Sequence, residues 1–362
     1  MVSPSCFHFR RLLTGLDTVQ AAYFLLPGAN CAFAFGPLLT QKEHLRAAKA
    51  RLGCPVELGG WLFQLQPYGS ASGYPLVLKH PHYTVECGEF NSPSFFVTFR
   101  SEALWREGAA TLHERFSAWT HVLGLRALQT ETLSRVDFTF DYFLPTGAFA
   151  ENSVVSMSAK EARYREDGRV QTLQYGKGDV VLRLYDKVTE IAQQSEKVWL
   201  FQLWGESENV WRIEWQVRKD VLRRFGIRTF EDLFANSGDV LRYLAHEHDS
   251  LRIPSADSNR SRWALHPLWL DLLEQIETFS GQGLYREVDE QAVLSERQQR
   301  LAISVYGYLK RLAALMSLQQ DREIISVEES LERLRTLVVR LHEPVSWRVD
   351  VAAKREQVRL GR

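Results

Sequence analysis

Asp137 and Asp141 fall on one face of the stretch Ser134-Arg-Val-Asp-Phe-Thr-Phe-Asp-Tyr142 if it is extended with a two-residue period. Arg135 and Thr139 share that face, and Val136, Phe138, Phe140 and Tyr142 line the other. Aspartate is a poor strand former, so two of them within five positions call for a chemical reason. Four residues apart they are separated by about 13 Å, too far to hold one ion without a bulge. One is then expected to bind a metal while the other orients a neighbour. Trp211-Arg-Ile-Glu-Trp-Gln-Val-Arg218 repeats the pattern, with Arg212, Glu214, Gln216 and Arg218 opposite Trp211, Ile213, Trp215 and Val217. Val180-Val-Leu-Arg-Leu-Tyr-Asp-Lys187 puts Val181, Arg183, Tyr185 and Lys187 together. Paired in one antiparallel sheet, these faces combine carboxylates, a tyrosine, a lysine and arginines. Carboxylate oxygens suit Mg²⁺ or Mn²⁺, ions that commonly partner phosphates. The set fits metal-assisted phosphoryl transfer with Tyr185 as covalent nucleophile. A half-exposed sheet covered in salt bridges is the commoner arrangement in general. It accounts readily for Arg218 and Lys219, and less well for Asp137, Glu214 and Tyr185.

The elements that must position these residues follow from the rest of the chain. Its 362 residues are enough for about two domains, and 45% hydrophobic with 24% charged residues is globular composition. Lys plus Arg and Asp plus Glu both number 44, so any nucleic-acid surface must be local rather than global. Cys6, Cys31, Cys54 and Cys87 form no Cys-x-x-Cys pair, which argues against structural zinc and fits a reducing cytoplasm. The sequence shows no run of 18 apolar residues and no secretory leader pattern. Strand signals occur at residues 21–26, 61–66, 83–87 and 94–100, with helical spacing at 41–51 and 104–123. Residues 146–167 read as a polar connection with one short helix. After about Phe230 the chain becomes helical, with an apolar stripe from Leu301 to Met316 and a capping box of Ser326 with Glu329. The expected fold class is α+β: an antiparallel sheet with a concave polar face, helices packed behind it and a helical C-terminal part. The expected divisions are 1–130, the N-terminal α+β part; 131–229, the core strands; 230–345, helical; and 346–362, a mobile basic tail.

The block Thr172-Leu-Gln-Tyr-Gly-Lys-Gly-Asp-Val-Val-Leu-Arg-Leu-Tyr-Asp-Lys187, with Glu190 following, resembles the signature of the replication initiation factor family. These are the initiators of rolling-circle plasmids and phages, with their relaxase relatives. The blocks at 134–141 and 211–218 flank it in the family's order, although Gly178 stands where Ser or Arg is more usual. The resemblance implies a metal-dependent, site-specific single-strand DNA endonuclease and strand transferase. Tyr185 would attack a backbone phosphate and stay on the 5′-phosphate, leaving a 3′-OH to start rolling-circle replication. Asp137 and Glu214 match acidic metal ligands for Mg²⁺ or Mn²⁺, with Asp141 as a helper. Arg183 and Lys187 would assist Tyr185, and Arg135, Arg212, Arg218 and Lys177 would contact DNA phosphates. The implied partners are origin DNA, single-stranded at the nick, a host helicase and a second copy of the chain, with no membrane. The alternatives are a conjugative or mobilisation relaxase and a non-catalytic DNA-binding regulator.

Other candidates read as structure. His80-Pro-His82 superficially matches a His-x-His metal pair, but the proline suits a turn. His246-Glu-His248 reads as a solvated helix end, and Gly176-Lys-Gly178 is too short for a phosphate-binding loop. Arg252, Arg260, Arg262 and the 346–362 tail are expected to carry duplex contacts, and the first 130 residues match no motif.

Overall fold

The computed structural model describes residues 8–144, 149–166, 168–195, 197–281 and 290–359. Cys6 and residues 360–362 lie outside this set. The chain divides into two compact units, Met1–Arg286 and Glu287–Arg362.

The first unit is built on an eleven-stranded sheet. Its strands are β1 (Arg10–Tyr23), β2 (Cys54–Leu58), β3 (Trp61–Leu65), β4 (Leu76–Lys79), β5 (Tyr83–Cys87), β6 (Phe95–Phe99), β7 (Thr132–Phe143), β8 (Glu161–Glu166), β9 (Arg169–Tyr175), β10 (Val180–Asp186) and β11 (Val210–Arg218). The spatial order is β8-β9-β10-β11-β7-β1-β6-β5-β4-β3-β2, and every neighbouring pair is antiparallel. The three strand blocks read from the sequence are therefore adjacent, with β11 between β10 and β7. The α+β expectation holds, with one difference: residues before 130 supply β1 to the middle of the sheet and five strands to one wing.

Of the stretch 146–167, the described residues 149–166 are more ordered than a polar connection. They include a 3₁₀ turn, Glu151–Ser153, a short strand, Val154–Ser156, and the edge strand β8. β8 is Glu-Ala-Arg-Tyr-Arg-Glu and mostly exposed. Charge on an edge strand blocks further pairing, and the same charge hides the strand from a hydrophobic-pattern reading.

The helices of this unit are α1 (Phe35–Ala47), α2 (Ser101–Glu107), α3 (Ala109–Val122), α4 (Lys187–Glu190), α5 (Trp199–Trp204), α6 (Lys219–Arg224), α7 (Phe230–Tyr243) and α8 (Pro267–Ile276). The apolar sheet face packs on α3, α7 and α8: Phe99 meets Phe230 at a centroid distance of 5.1 Å, and Trp215 meets Trp269 at 5.6 Å. α7 starts at a capping box of Thr229 and Asp232. On the polar face, α2 packs against β1, α4 against β10 and β11, and α5 against β1. That face is therefore roofed in part, and its charged residues are buried.

The second unit holds α9 (Glu290–Gln320), α10 (Val327–Leu341) and α11 (Pro344–Arg359). The expected box of Ser326 and Glu329 caps α10. Of the expected α9 stripe, Leu309 and Met316 are buried while Leu301 is 66% exposed. The segment Leu301–Gln320 is long and apolar enough to cross a membrane by length and composition, with Lys310 and Arg311 at its middle. Residues 346–359, expected as a mobile tail, belong to helix α11. The tail lacks an apolar period, and its Ala, Glu, Lys and Arg content favours helix without one.

Candidate active site

Register decides which charges meet. Across β10, β11 and β7, Tyr185 is the Cα partner of Arg212, and Arg212 of Asp141; Arg183 pairs with Glu214, and Glu214 with Thr139. The Tyr185 hydroxyl donates to Glu214 Oε2 at 2.8 Å. Glu214 Oε1 takes Arg183 Nη1 at 3.0 Å, and Arg183 also donates to Gln174 at 3.2 Å and Gln216 at 3.4 Å. Lys187 Nζ lies 5.4 Å from the Tyr185 ring centroid and 2.5 Å from Glu190, which also accepts from Ser195. Burial, and then the charge of Glu214, push the Tyr185 phenol well above its ordinary value of 10. Burial and Arg212 push Lys187 down.

Beside this triad lies a buried ion cluster. Arg212, fully enclosed, donates to both Asp141 oxygens at 2.6 and 2.8 Å and to Asp17 at 2.7 Å. The Trp204 indole donates to Asp141 at 2.9 Å, and Lys197 and Ser101 donate to Asp17 at 2.7 and 2.8 Å. Burial works to raise the Asp17 carboxyl, but Arg212, Lys197 and Lys187 outweigh it and hold it far below the usual carboxylate range. Asp17 sits where β1 slips register between Leu16 and Thr18, as a bulge that aims it at Arg212. The Trp105 ring lies 5.9 Å from the Arg212 guanidinium and covers Gly15, where a Cβ would come within 2.9 Å of the ring. Glycine at 15 is required for that approach.

Arg135 grips Asp137 with two bonds, at 2.7 and 2.5 Å. Burial, with Glu214 and Asp17 near, nevertheless pushes the Asp137 carboxyl up to about 6 against the pull of Arg135. The folded state thus holds this proton more tightly than the unfolded chain, whose value is 3.8. The stability it contributes is complete below about pH 4 and is lost as pH rises through about 6. Asp137→Asn, neutral at every pH, is expected to flatten the fall of unfolding free energy between those limits by about 2–3 kcal/mol. Chemical denaturation at several pH values reads this, and an unchanged slope rejects it.

The remaining candidates lie elsewhere. Arg218 is exposed six residues along β11 from Arg212, about 20 Å away. Lys177 is exposed on the β9–β10 turn, near Arg218 because the Arg218 amide donates to Asp179 O. Arg252 and Arg260 hold backbone instead of projecting free: Arg252 donates to Trp263 O and Arg260 to Asn152 O and Val154 O. Arg262 is 72% exposed.

Asp137 and Glu214 are near enough to interact, but each acid expected as a metal ligand is engaged by an arginine. Asp137 is held by Arg135, Asp141 by Arg212, and Glu214 by Arg183 and Tyr185. Among the described residues no three His, Cys, Asp or Glu side chains are grouped as a metal site would need. Three carboxylates each neutralised by its own arginine do not fit a bound divalent ion in this arrangement. The residues that sequence reasoning missed are Asp17 and Lys197. An aspartate inside the apolar run Leu16-Asp-Thr-Val19 was the available signal for the first.

Residues 102–236 match a phage family described as the N-terminal part of a replication-associated protein. No curated protein matches the chain. Among solved structures it is similar to the rolling circle replication initiator protein from Geobacillus stearothermophilus, at 18% identity over 75% of this chain and 98% of that one. The TM-score is 0.42, too distant to carry residue roles. The matched segment is little more than a third of the chain and holds β7, β10 and β11 with Tyr185, Glu214, Arg183 and Arg212.

Proposed function

We propose that this chain nicks one DNA strand at a replication origin through a covalent 5′-phosphotyrosine on Tyr185, and rejoins it by the reverse step. The observation that carries the reading is the Tyr185–Glu214–Arg183 alignment, a nucleophile hydrogen-bonded to a base that is itself held in place. A phenol kept protonated by its surroundings needs an acceptor for its proton as it attacks, and Glu214 Oε2 is in position. Tyr185 Oη then bonds to phosphorus and the P–O3′ bond breaks. The departing O3′ takes a proton from water and becomes the 3′-OH. Arg183 and Lys187 place positive charge beside the oxyanions that develop. Origin DNA, unpaired at the nick, is the substrate this chemistry requires.

The test uses supercoiled plasmid carrying the DNA that flanks the gene for this chain, with Mg²⁺ or Mn²⁺ supplied. The parent protein is expected to give open circles with protein on the 5′ end. Tyr185→Phe should retain fold and binding and lose the adduct. An adduct formed by Tyr185→Phe overturns the assignment. Tyr142 would not readily take over: it is buried, donates to Asp271 at 2.9 Å and lies on the opposite sheet face.

A further inference from the structure

The polar face of the sheet does not stop at β1. Arg135, Gln20, Thr98, Thr84, Lys79 and Gln64 are successive Cα partners from β7 to β3, a polar row of about 24 Å at the usual strand spacing. Over its far half opens a cleft of about 820 Å³, floored by Thr18, Thr98 and Gln64 and rimmed by Lys79, Arg100 and Lys197. The lining contains those three cations and a single carboxylate, Glu102, which is already paired with Arg106 at 2.9 Å. Trp199 supplies ring surface in the wall. The cleft is physically joined to the Tyr185 site: Lys197 on its rim binds Asp17, and Asp17 binds Arg212, the cross-strand neighbour of Tyr185. Lys79, His80, Arg100, Gln64 and Thr98 all precede residue 102, where the family match begins.

A groove that is polar on its floor, cationic on its rim and aromatic at its wall is what a single nucleic-acid strand needs. Cations track the phosphates and a ring accepts a base face without regard to sequence. A volume of about 820 Å³ is within the range that encloses a small ligand such as a nucleotide. Duplex DNA does not offer base faces for stacking. We infer that this cleft holds nucleotides of the cut strand, with phosphates on Lys79 and Arg100 and a base against Trp199. The wing contributed by residues before 102 is thereby the strand-gripping half of the sheet. This rests on the nicking reading for its substrate, but not for its measurement.

The experiment is done in the full-length Tyr185→Phe variant, so that binding is read apart from cleavage, with labelled oligothymidylate titrated over a range of salt. Adding Lys79→Ala and Arg100→Ala together should reduce affinity and lower the slope of log affinity against log salt by about 1.4, at about 0.7 per phosphate contact for single strands. Adding Trp199→Ala instead should reduce affinity by about 5- to 150-fold with the slope unchanged, the range for loss of one base stack. Unchanged affinity and slope in both variants overturns the inference. Equal losses on a blunt duplex overturn it too, because the surface would then be a general phosphate patch. The nicking reading fails separately, if Tyr185→Phe still forms the 5′ adduct, and that outcome leaves the cleft result intact. Lys79 and Arg100 are exposed, so their removal leaves the core unaltered and an unchanged melting temperature verifies it.

Discussion

Replacing Arg212 by methionine should lower the stability of the sheet unit by about 3–5 kcal/mol, the cost of breaking a buried ion pair from one side. Arg212 is fully enclosed and satisfies Asp141 twice and Asp17 once, so its loss strands carboxylates that cannot reach water. Asp17 keeps Lys197 and Ser101, but Asp141 keeps only the Trp204 indole. For a unit of this size the change corresponds to a melting temperature lower by about 10 °C. A second consequence separates lost charge pairing from lost packing. An unpaired, buried Asp141 must acquire a raised pKa, so the deficit should shrink as pH falls and Asp141 takes up a proton. Arg212→Met with Asp141→Asn should recover most of the stability at neutral pH. Thermal unfolding at two pH values reads both effects. A deficit that is the same at both, and is not relieved by Asp141→Asn, would mean that the side chain matters for its volume alone.

This cluster also marks the limit of what the sequence alone discloses. The two-residue alternation at 134–142, 180–187 and 211–218 places each side chain on its correct face, because a period of two admits only one alternative and the aromatic residues settle it. It does not say which arginine meets which carboxylate. That depends on register, and β11 lying between β10 and β7 turns Asp141 and Glu214 from expected metal ligands into partners of Arg212 and Arg183. Asp17 is hidden for a different reason: the bulge beside it breaks the alternation, so residues 10–20 do not read as strand. Lys197 and Trp204 come from a stretch with no period at all and reach the site only through tertiary packing. In the N-terminal wing β3, β5 and β6 are legible at 61–66, 83–87 and 94–100, while β2 and β4, five and four residues long, are not.

Glu214→Gln should reduce adduct formation by about 10²- to 10⁴-fold while leaving single-strand binding near that of the parent, the usual range for loss of a positioned general base. The substitution keeps shape and an oxygen able to accept from Tyr185, so the phenol need not move; what is lost is the proton acceptor. The pH dependence distinguishes this from a loss of geometry. In the parent, Tyr185 is held above its ordinary value of 10 by burial and by the charge of Glu214. Attack therefore proceeds from the neutral phenol, with its proton passing to the carboxylate, and the rate should not follow the phenolate fraction of Tyr185. In the variant no carboxylate accepts the proton, and attack must proceed from the small fraction of phenolate. Its residual rate should then climb about tenfold per pH unit through the neutral and mildly alkaline range, since each unit multiplies the phenolate fraction by ten below the phenol's pKa. Removing the negative charge of Glu214 also lowers that pKa, which adds to the alkaline activity and narrows the gap to the parent as pH rises. A variant that is slow at all pH values by the same factor would assign Glu214 to holding Arg183 and Tyr185 in place, and a variant as fast as the parent would remove it from the reaction.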